Sequence, residues 1–186
     1  MIRLWNLCNL FTEEQISNLQ AYQVLRNCGK ELIYETPEKR TELAHYFWDR
    51  LQNAGVNLDI MMYNALLSVY LQNGYKFNPL EVLERIQSSG LEPNLTTMAL
   101  VIQGFGQNGD IQGVFKVLEF MKAADMPVTE PIYTSLILAY GKNRDMESAK
   151  GVFNLMRDNG MEPGIESYTS LLTMYAENGD LQSIDE

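Results

Sequence analysis

Residues 131–145 read PIYTSLILAYGKNRD, and their pattern decides the fold. Ile132, Tyr133, Leu136, Ile137 and Tyr140 fall at i, i+1, i+4, i+5 and i+8, the apolar stripe of an amphipathic helix. The same stretch returns at a spacing of 35, as MMYNALLSVYLQNGY at 61–75, TTMALVIQGFGQNGD at 96–110 and ESYTSLLTMYAENGD at 166–180. Aromatics recur at Tyr70, Phe105, Tyr140 and Tyr175, and asparagines at Asn73, Asn108, Asn143 and Asn178. Paired aliphatics follow the same spacing: Leu66-Leu67, Val101-Ile102, Leu136-Ile137 and Leu171-Leu172. Two further columns, Trp48/Leu83/Leu118/Phe153 and Leu51/Ile86/Met121/Met156, keep the register. Self-similarity at this period marks a chain of stacked supersecondary units.

Each period reads as helix, turn, helix, turn. Gly74, Gly109 and Gly179 follow the asparagines, where a C′ glycine ends a helix in the left-handed conformation. Asp110, Asp145 and Asp180 come next, placed to cap a second helix. In the repeat opening near Ile60 that aspartate is replaced by Tyr75, so Asn78-Pro79 is the expected cap and the second helix there starts late. The second helices are expected to end at Gly55, Gly90 and Gly160, with Asp125 in the same column. The asparagine column is read as turn chemistry, because asparagine tolerates the conformations found at helix ends. Residues 60–94, 95–129 and 130–164 are taken as full repeats and 165–186 as a truncated one. Residues 1–59 are taken as an N-terminal helix and a divergent hairpin. There Thr12-Glu13-Glu14-Gln15 reads as a capping box opening a helix to about Ile33, and Thr36-Pro37 opens a second helix to about Ala54. The expected fold class is all-α, a right-handed α-solenoid of helix-turn-helix units, each burying a face no single hairpin could bury alone.

Composition narrows the function classes. The chain has 186 residues, with Lys+Arg 14 against Asp+Glu 24 and a formal net charge of −10. No apolar run approaches the roughly 20 residues needed to span a bilayer, so no membrane role is expected. The N-terminal residues read as neither a signal nor a transit peptide, so a targeting segment would have to lie outside this chain. Cys8 and Cys28 make no disulfide framework, and both are read as thiols without a C-x-x-C. His45, the one histidine, has no cysteine or acid at ligand spacing, so no metal site and no cofactor is expected. With no phosphate loop and no paired nucleophile and base, the chain is read as a non-enzyme. The first-helix stretches 61–74 and 96–109 carry no charged residue, while 131–143 carries only Lys142. The acidic excess is therefore assigned to the N-terminal hairpin, the second helices and the loops, and Lys142 is the candidate phosphate contact.

A period of 35, against roughly 34 for tetratricopeptide arrays, together with Met62-Tyr63-Asn64-Ala65-Leu66-Leu67 and Tyr133-Thr134-Ser135-Leu136-Ile137, resembles the pentatricopeptide repeat (PPR) family. The runs YNALLSVYLQNGYKFNP, FMKAADMPVTE and MRDNGMEPG are similar to its leucine-rich mitochondrial members. The resemblance implies a protein of the mitochondrial matrix that binds single-stranded mRNA and supports its stability, polyadenylation and translation. It also implies a small RRM protein (SLIRP-like) as partner, and contact with the mitochondrial ribosome. Members read one base per repeat through the fifth and last positions, with the second position sandwiching the base. Carried over by residue, the reading positions are Asn64 with Asn94, Ala99 with Thr129, Thr134 with Gly164, and Thr169. The sandwich positions are Met61, Thr96, Pro131 and Glu166. Asn64 with Asn94 fits a pyrimidine, whereas Ala99 and Gly164 offer no side-chain hydrogen bond, and Pro131 and Glu166 depart from a small aliphatic. The alternative is a protein-docking scaffold segment that binds the RRM partner or the ribosome while other repeats hold RNA.

Overall fold

The computed structural model describes residues 17–179. Among them are nine α-helices and no strand: α1 (Asn18–Asn27), α2 (Pro37–Asn53), α3 (Ile60–Gln72), α4 (Pro79–Ser88), α5 (Leu95–Gln107), α6 (Ile111–Ala123), α7 (Glu130–Lys142), α8 (Met146–Asp158) and α9 (Ile165–Asn178). The architecture is an all-α solenoid of paired helices. The chain divides into two compact units, the first ending at Tyr75 and the second beginning at Lys76, in the loop between α3 and α4. In the first unit α1, α2 and α3 pack on one another. In the second, α5, α7 and α9 lie side by side as the first helices of successive hairpins, with α4, α6 and α8 packed against them.

Local chemistry sets the helix boundaries. Asp59, Asp110 and Asp145 each accept a backbone N–H of the first turn, from Met62, Gly113 and Ser148 at 3.0, 2.8 and 3.0 Å. Asp145 also accepts from the Ser148 hydroxyl at 2.6 Å, and these two bonds hold its carboxyl below the ordinary carboxylate range. That cap stabilises the fold above the ordinary carboxylate pKa and is lost as the pH falls through the lowered one. Helix α4 starts late, capped by Asn78 with Pro79 in its first turn, and has 10 residues where α6 and α8 have 13. Thr36 caps α2 through Lys39 N. Gly55, Gly90 and Gly160 take left-handed φ of 68°, 74° and 73°, and Asp125 does so at 53°.

The expected long N-terminal helix needs correction: Ser17 is extended and forms its own capping box with Gln20, so α1 begins at Asn18 and stops at Asn27 rather than near Ile33. The Thr12 capping box, Cys8 and Asp180 lie outside the described residues. The asparagine column stands at helix ends, as expected: Asn73, Asn108 and Asn143 are the C-cap residues of α3, α5 and α7, with φ between −80° and −89°, and the left-handed residue is the one that follows. Three of the column use the side-chain amide to tie a helix end to the preceding hairpin. Asn73 donates to Cys28 O and Thr41 Oγ1 at 3.2 and 3.1 Å, Asn108 to Phe77 O at 2.9 Å, and Asn178 to Gly141 O at 3.5 Å.

The column after Asn73, Asn108, Asn143 and Asn178 is glycine except at Arg144, which adopts φ 59°. A left-handed conformation costs a non-glycine residue roughly 1–2 kcal/mol. Arg144→Gly is therefore expected to raise stability by about 1 kcal/mol in urea titration, and a loss of stability would contradict the strain.

Apolar columns meet between the helices. Val101, Ile102, Met98, Met121, Ile132, Ile137 and Met156 are fully enclosed in the second unit, and Leu25, Met62 and Leu67 in the first. The aromatic column is core: Tyr70, Phe105 and Tyr175 are buried and Tyr140 is half-buried. Burial pushes the Tyr140 phenol above its ordinary pKa, with the Asp145 charge adding to it. His45 Nε2 stands 2.9 Å from Tyr70 Oη, and Cys28 is a buried thiol donating to Val24 O.

Candidate nucleic-acid interface

Equivalent positions on α5, α7 and α9 face the same side because these helices pack in sequence. Thr96, Pro131 and Glu166 occupy their first turns, and all three are exposed. Met61 on α3 of the first unit is 52% exposed. Within the second unit, a threonine, a proline and a glutamate at one repeated exposed position give an uneven lining rather than a uniform apolar one.

The fifth positions behave differently. Ala99 and Thr134 are each only 6% exposed, wedged between neighbouring helices. The Thr134 hydroxyl lies 3.0 Å from Ser167 Oγ on α9, a fully buried serine. Asn64 is half-buried on α3, and Thr169 is exposed with its hydroxyl donating to Ile165 O at 2.7 Å.

The last positions are the N-caps of the following first helices. Asn94 caps α5 with a reciprocal box: its Oδ1 accepts from Thr97 N and Oγ1 at 3.0 Å each, and Thr97 Oγ1 accepts from Asn94 N at 3.2 Å. Asn64 belongs to the first unit and Asn94 to the second. Thr129 caps α7 without a side-chain bond. Gly164 has no side chain with which to cap α9; its N–H instead donates to Glu130 Oε1 at 2.8 Å, from the preceding first helix. The same oxygen accepts from Ser167 Oγ at 3.2 Å. So Glu130, Thr134, Gly164 and Ser167 form one polar cluster joining α7 to α9.

Neither Glu130 nor Ser167 was among the residues singled out from the sequence. The signal existed for Glu130. Its column reads Ile60, Leu95, Glu130, Ile165, and the lone acid opens the one full repeat that ends on a glycine.

Electrostatics disfavour a strong grip on phosphate. Lys142 Nζ is 2.9 Å from Glu177 Oε2, pairing the candidate phosphate contact with the equivalent residue one repeat on. Helix α5 has no charged residue. Of the places to which the acidic excess is assigned, the second helices do not carry it: α2, α4, α6 and α8 together carry eight acids and eight bases. Among the described residues it gathers in the loops, and also at helix caps and first turns, at Asp59, Glu92, Asp110, Asp125, Glu130, Asp145, Glu162 and Glu166. The reason is that N-caps and first turns favour acids, which satisfy free amides and the helix dipole. Among the described residues no group of three or more His, Cys, Asp or Glu could hold a metal ion, and no helix is long and apolar enough to cross a membrane.

Comparison with known proteins places this geometry. Residues 47–108 match the pentatricopeptide repeat domain, 96–126 the PPR repeat and 128–177 the PPR repeat family. The mitochondrial leucine-rich PPR motif-containing protein of Mus musculus is 52% identical over 66 residues, covering 36% of this chain and 5% of that protein. Its Xenopus tropicalis counterpart is 48% identical over 69 residues, covering 37% and 5%. This chain thus aligns with only a small part of these relatives' length. Among solved structures, PPR10 in complex with an 18-nt psaJ RNA element superposes with a TM-score of 0.74 at 19% identity, over 97% of this chain and 25% of that one. PPR10 from maize superposes at 0.59 and 21% identity, over 92% and 24%. At such identities the likeness speaks for the fold alone. From residue 47 to residue 177, the chain is built of repeats homologous to the pentatricopeptide repeat family.

Proposed function

We propose that this chain is a non-enzymatic, single-stranded RNA-binding segment of a mitochondrial PPR protein, serving mRNA stability, polyadenylation and translation. The observation that supports it most is the exposed second-position column. Thr96, Pro131 and Glu166 of the second unit stand in solvent at a spacing of 35, the first two on helices that are otherwise mostly buried, and Met61 is exposed in the first unit. An exposed position that recurs at fixed spacing suits a ligand with one base per step. The nature of the relatives also supports the reading, since RNA is bound by the PPR10 protein in its complex, and the partial matches are to mitochondrial proteins. Few cations line these helices, so binding is expected to fall only gently with salt. Titrating fluorescent single-stranded RNA at two salt concentrations tests this. Asn64→Ala is expected to weaken binding to pyrimidine-rich strands selectively; equal loss for all strands would count against base reading at Asn64.

A second reading is favoured by one specific observation. Lys142 is paired with Glu177, Thr134 is tied to Ser167, and Asn94 is engaged as a helix cap, so candidate RNA contacts of the second unit serve structure. A segment so occupied suits a docking scaffold that holds a small RRM partner of the SLIRP type or the mitochondrial ribosome, while other repeats of a longer array carry RNA. Formation of a stable complex with the RRM protein, without RNA binding by this chain, would select this version.

A further inference from the structure

The cluster around Gly164 is not only a helix cap. Under the RNA-binding reading above, on which this inference rests, Gly164 stands where a base-contacting side chain belongs and has none. That space is filled from the neighbouring repeat. A Cβ built on Gly164 would lie 2.5 Å from Glu130 Oε1 and 3.3 Å from Oε2. The Glu130 carboxylate therefore sits where the first atoms of a Gly164 side chain would be.

Its two oxygens have different duties. Oε1 accepts from Gly164 N at 2.8 Å and from Ser167 Oγ at 3.2 Å, while Ser167 in turn meets Thr134 at 3.0 Å. Ser167, which donates to Oε1, and Thr134, which holds Ser167, are 0% and 6% exposed, so this anchor of the carboxylate is buried. The carboxylate also lies at the N-terminus of α9, where the helix dipole favours a negative group. Oε2 accepts no hydrogen bond among the described residues. An ionised carboxylate is acceptor-only, so this oxygen can receive only a donor.

We infer that Glu130 is the specificity-determining residue of the Thr134/Gly164 position, its carboxylate replacing the absent Gly164 side chain and accepting the exocyclic amino group of cytosine or adenine. A carboxylate accepts from cytosine N4 but meets a carbonyl oxygen where uracil has O4. With Glu166 exposed in the first turn of α9 and Lys142 paired with Glu177, the site contributes selectivity rather than affinity.

Glu130→Gln separates this role from capping. The glutamine carbonyl still accepts the Gly164 N–H, while its NH2 replaces Oε2 with a donor. Anisotropy titrations of the full chain with short fluorescent oligo(C), oligo(A) and oligo(U) strands read the result. The wild type is expected to favour C and A over U, and Glu130→Gln to shift the C-to-U ratio toward U by about tenfold, the scale of one hydrogen bond to a charged group. Hydrogen exchange at the Gly164 amide is expected to stay slow, showing that the cap survives. An unchanged C-to-U ratio in a variant that still binds would overturn the role of Glu130 and leave RNA binding intact. Failure of the wild type to bind any strand would overturn the RNA-binding reading and this inference with it.

Discussion

Gly106→Ala is expected to destabilise the second unit by about 1–3 kcal/mol, the usual cost of forcing extra atoms into a packed contact. Helix propensity alone argues the other way, since alanine in a helix interior is favoured over glycine by about 1 kcal/mol. Contact geometry decides the sign. A Cβ at Gly106 would lie 2.6 Å from Ala139 Cβ and 2.7 Å from Ala139 Cα, atoms of α7 that cannot rotate away. Helices α5 and α7 would have to separate along their shared face. Gly151 provides the internal control. It lies in α8, is exposed, and a Cβ there meets nothing within 4 Å. Gly151→Ala is expected to stabilise by roughly 0.5–1 kcal/mol. Urea denaturation of the two variants should move the midpoint in opposite directions, and a shift in the same direction would refute the close approach of α5 and α7.

The other large effect is expected at Ile137→Ala, about 2–5 kcal/mol, the range for truncating a buried aliphatic side chain. Ile137 is fully enclosed, in a cluster with Ala149 and Phe153 of α8 and Met174 of α9. The cavity would open where three helices meet, and none can collapse without losing its other contacts. In a repeat array each unit leans on its neighbours, so the loss should be local. Faster amide exchange is expected in α7, α8 and α9. Leu136 is the milder case. It is 7% exposed and borders an open cleft of about 380 Å³ with Leu118, Tyr133 and Leu155, so part of the lost contact was never made. If Leu136→Ala cost more than Ile137→Ala, this ranking of burial would be wrong.

Much of the helical frame is legible in the chain alone, because its causes are local. Caps at Asp110, Asp145, Asn78 and Thr36, and left-handed ends at the glycines and Asp125, lie where the residue types require them. Each depends on a residue and its partner within about one helical turn, so reading along the chain suffices. The break before α1 has the same origin: Ser17-x-x-Gln20 is a capping box of its own, so no single helix runs through Ser17.

The candidate interface was legible only as a set of positions. The family resemblance marked Thr96, Pro131 and Glu166 as one repeated position, and the structure shows that position exposed. What each position can do was decided by partners about one repeat away. Thr134 meets Ser167, Lys142 meets Glu177, and Gly164 meets Glu130, pairs separated by 33, 35 and 34 residues. The sequence by itself determined an all-α array of paired helices, because helix capping and apolar periodicity are short-range. Tertiary structure alone decided which polar groups are already spoken for, because hydrogen bonds between repeats depend on helix separation and rotation, which no local pattern encodes.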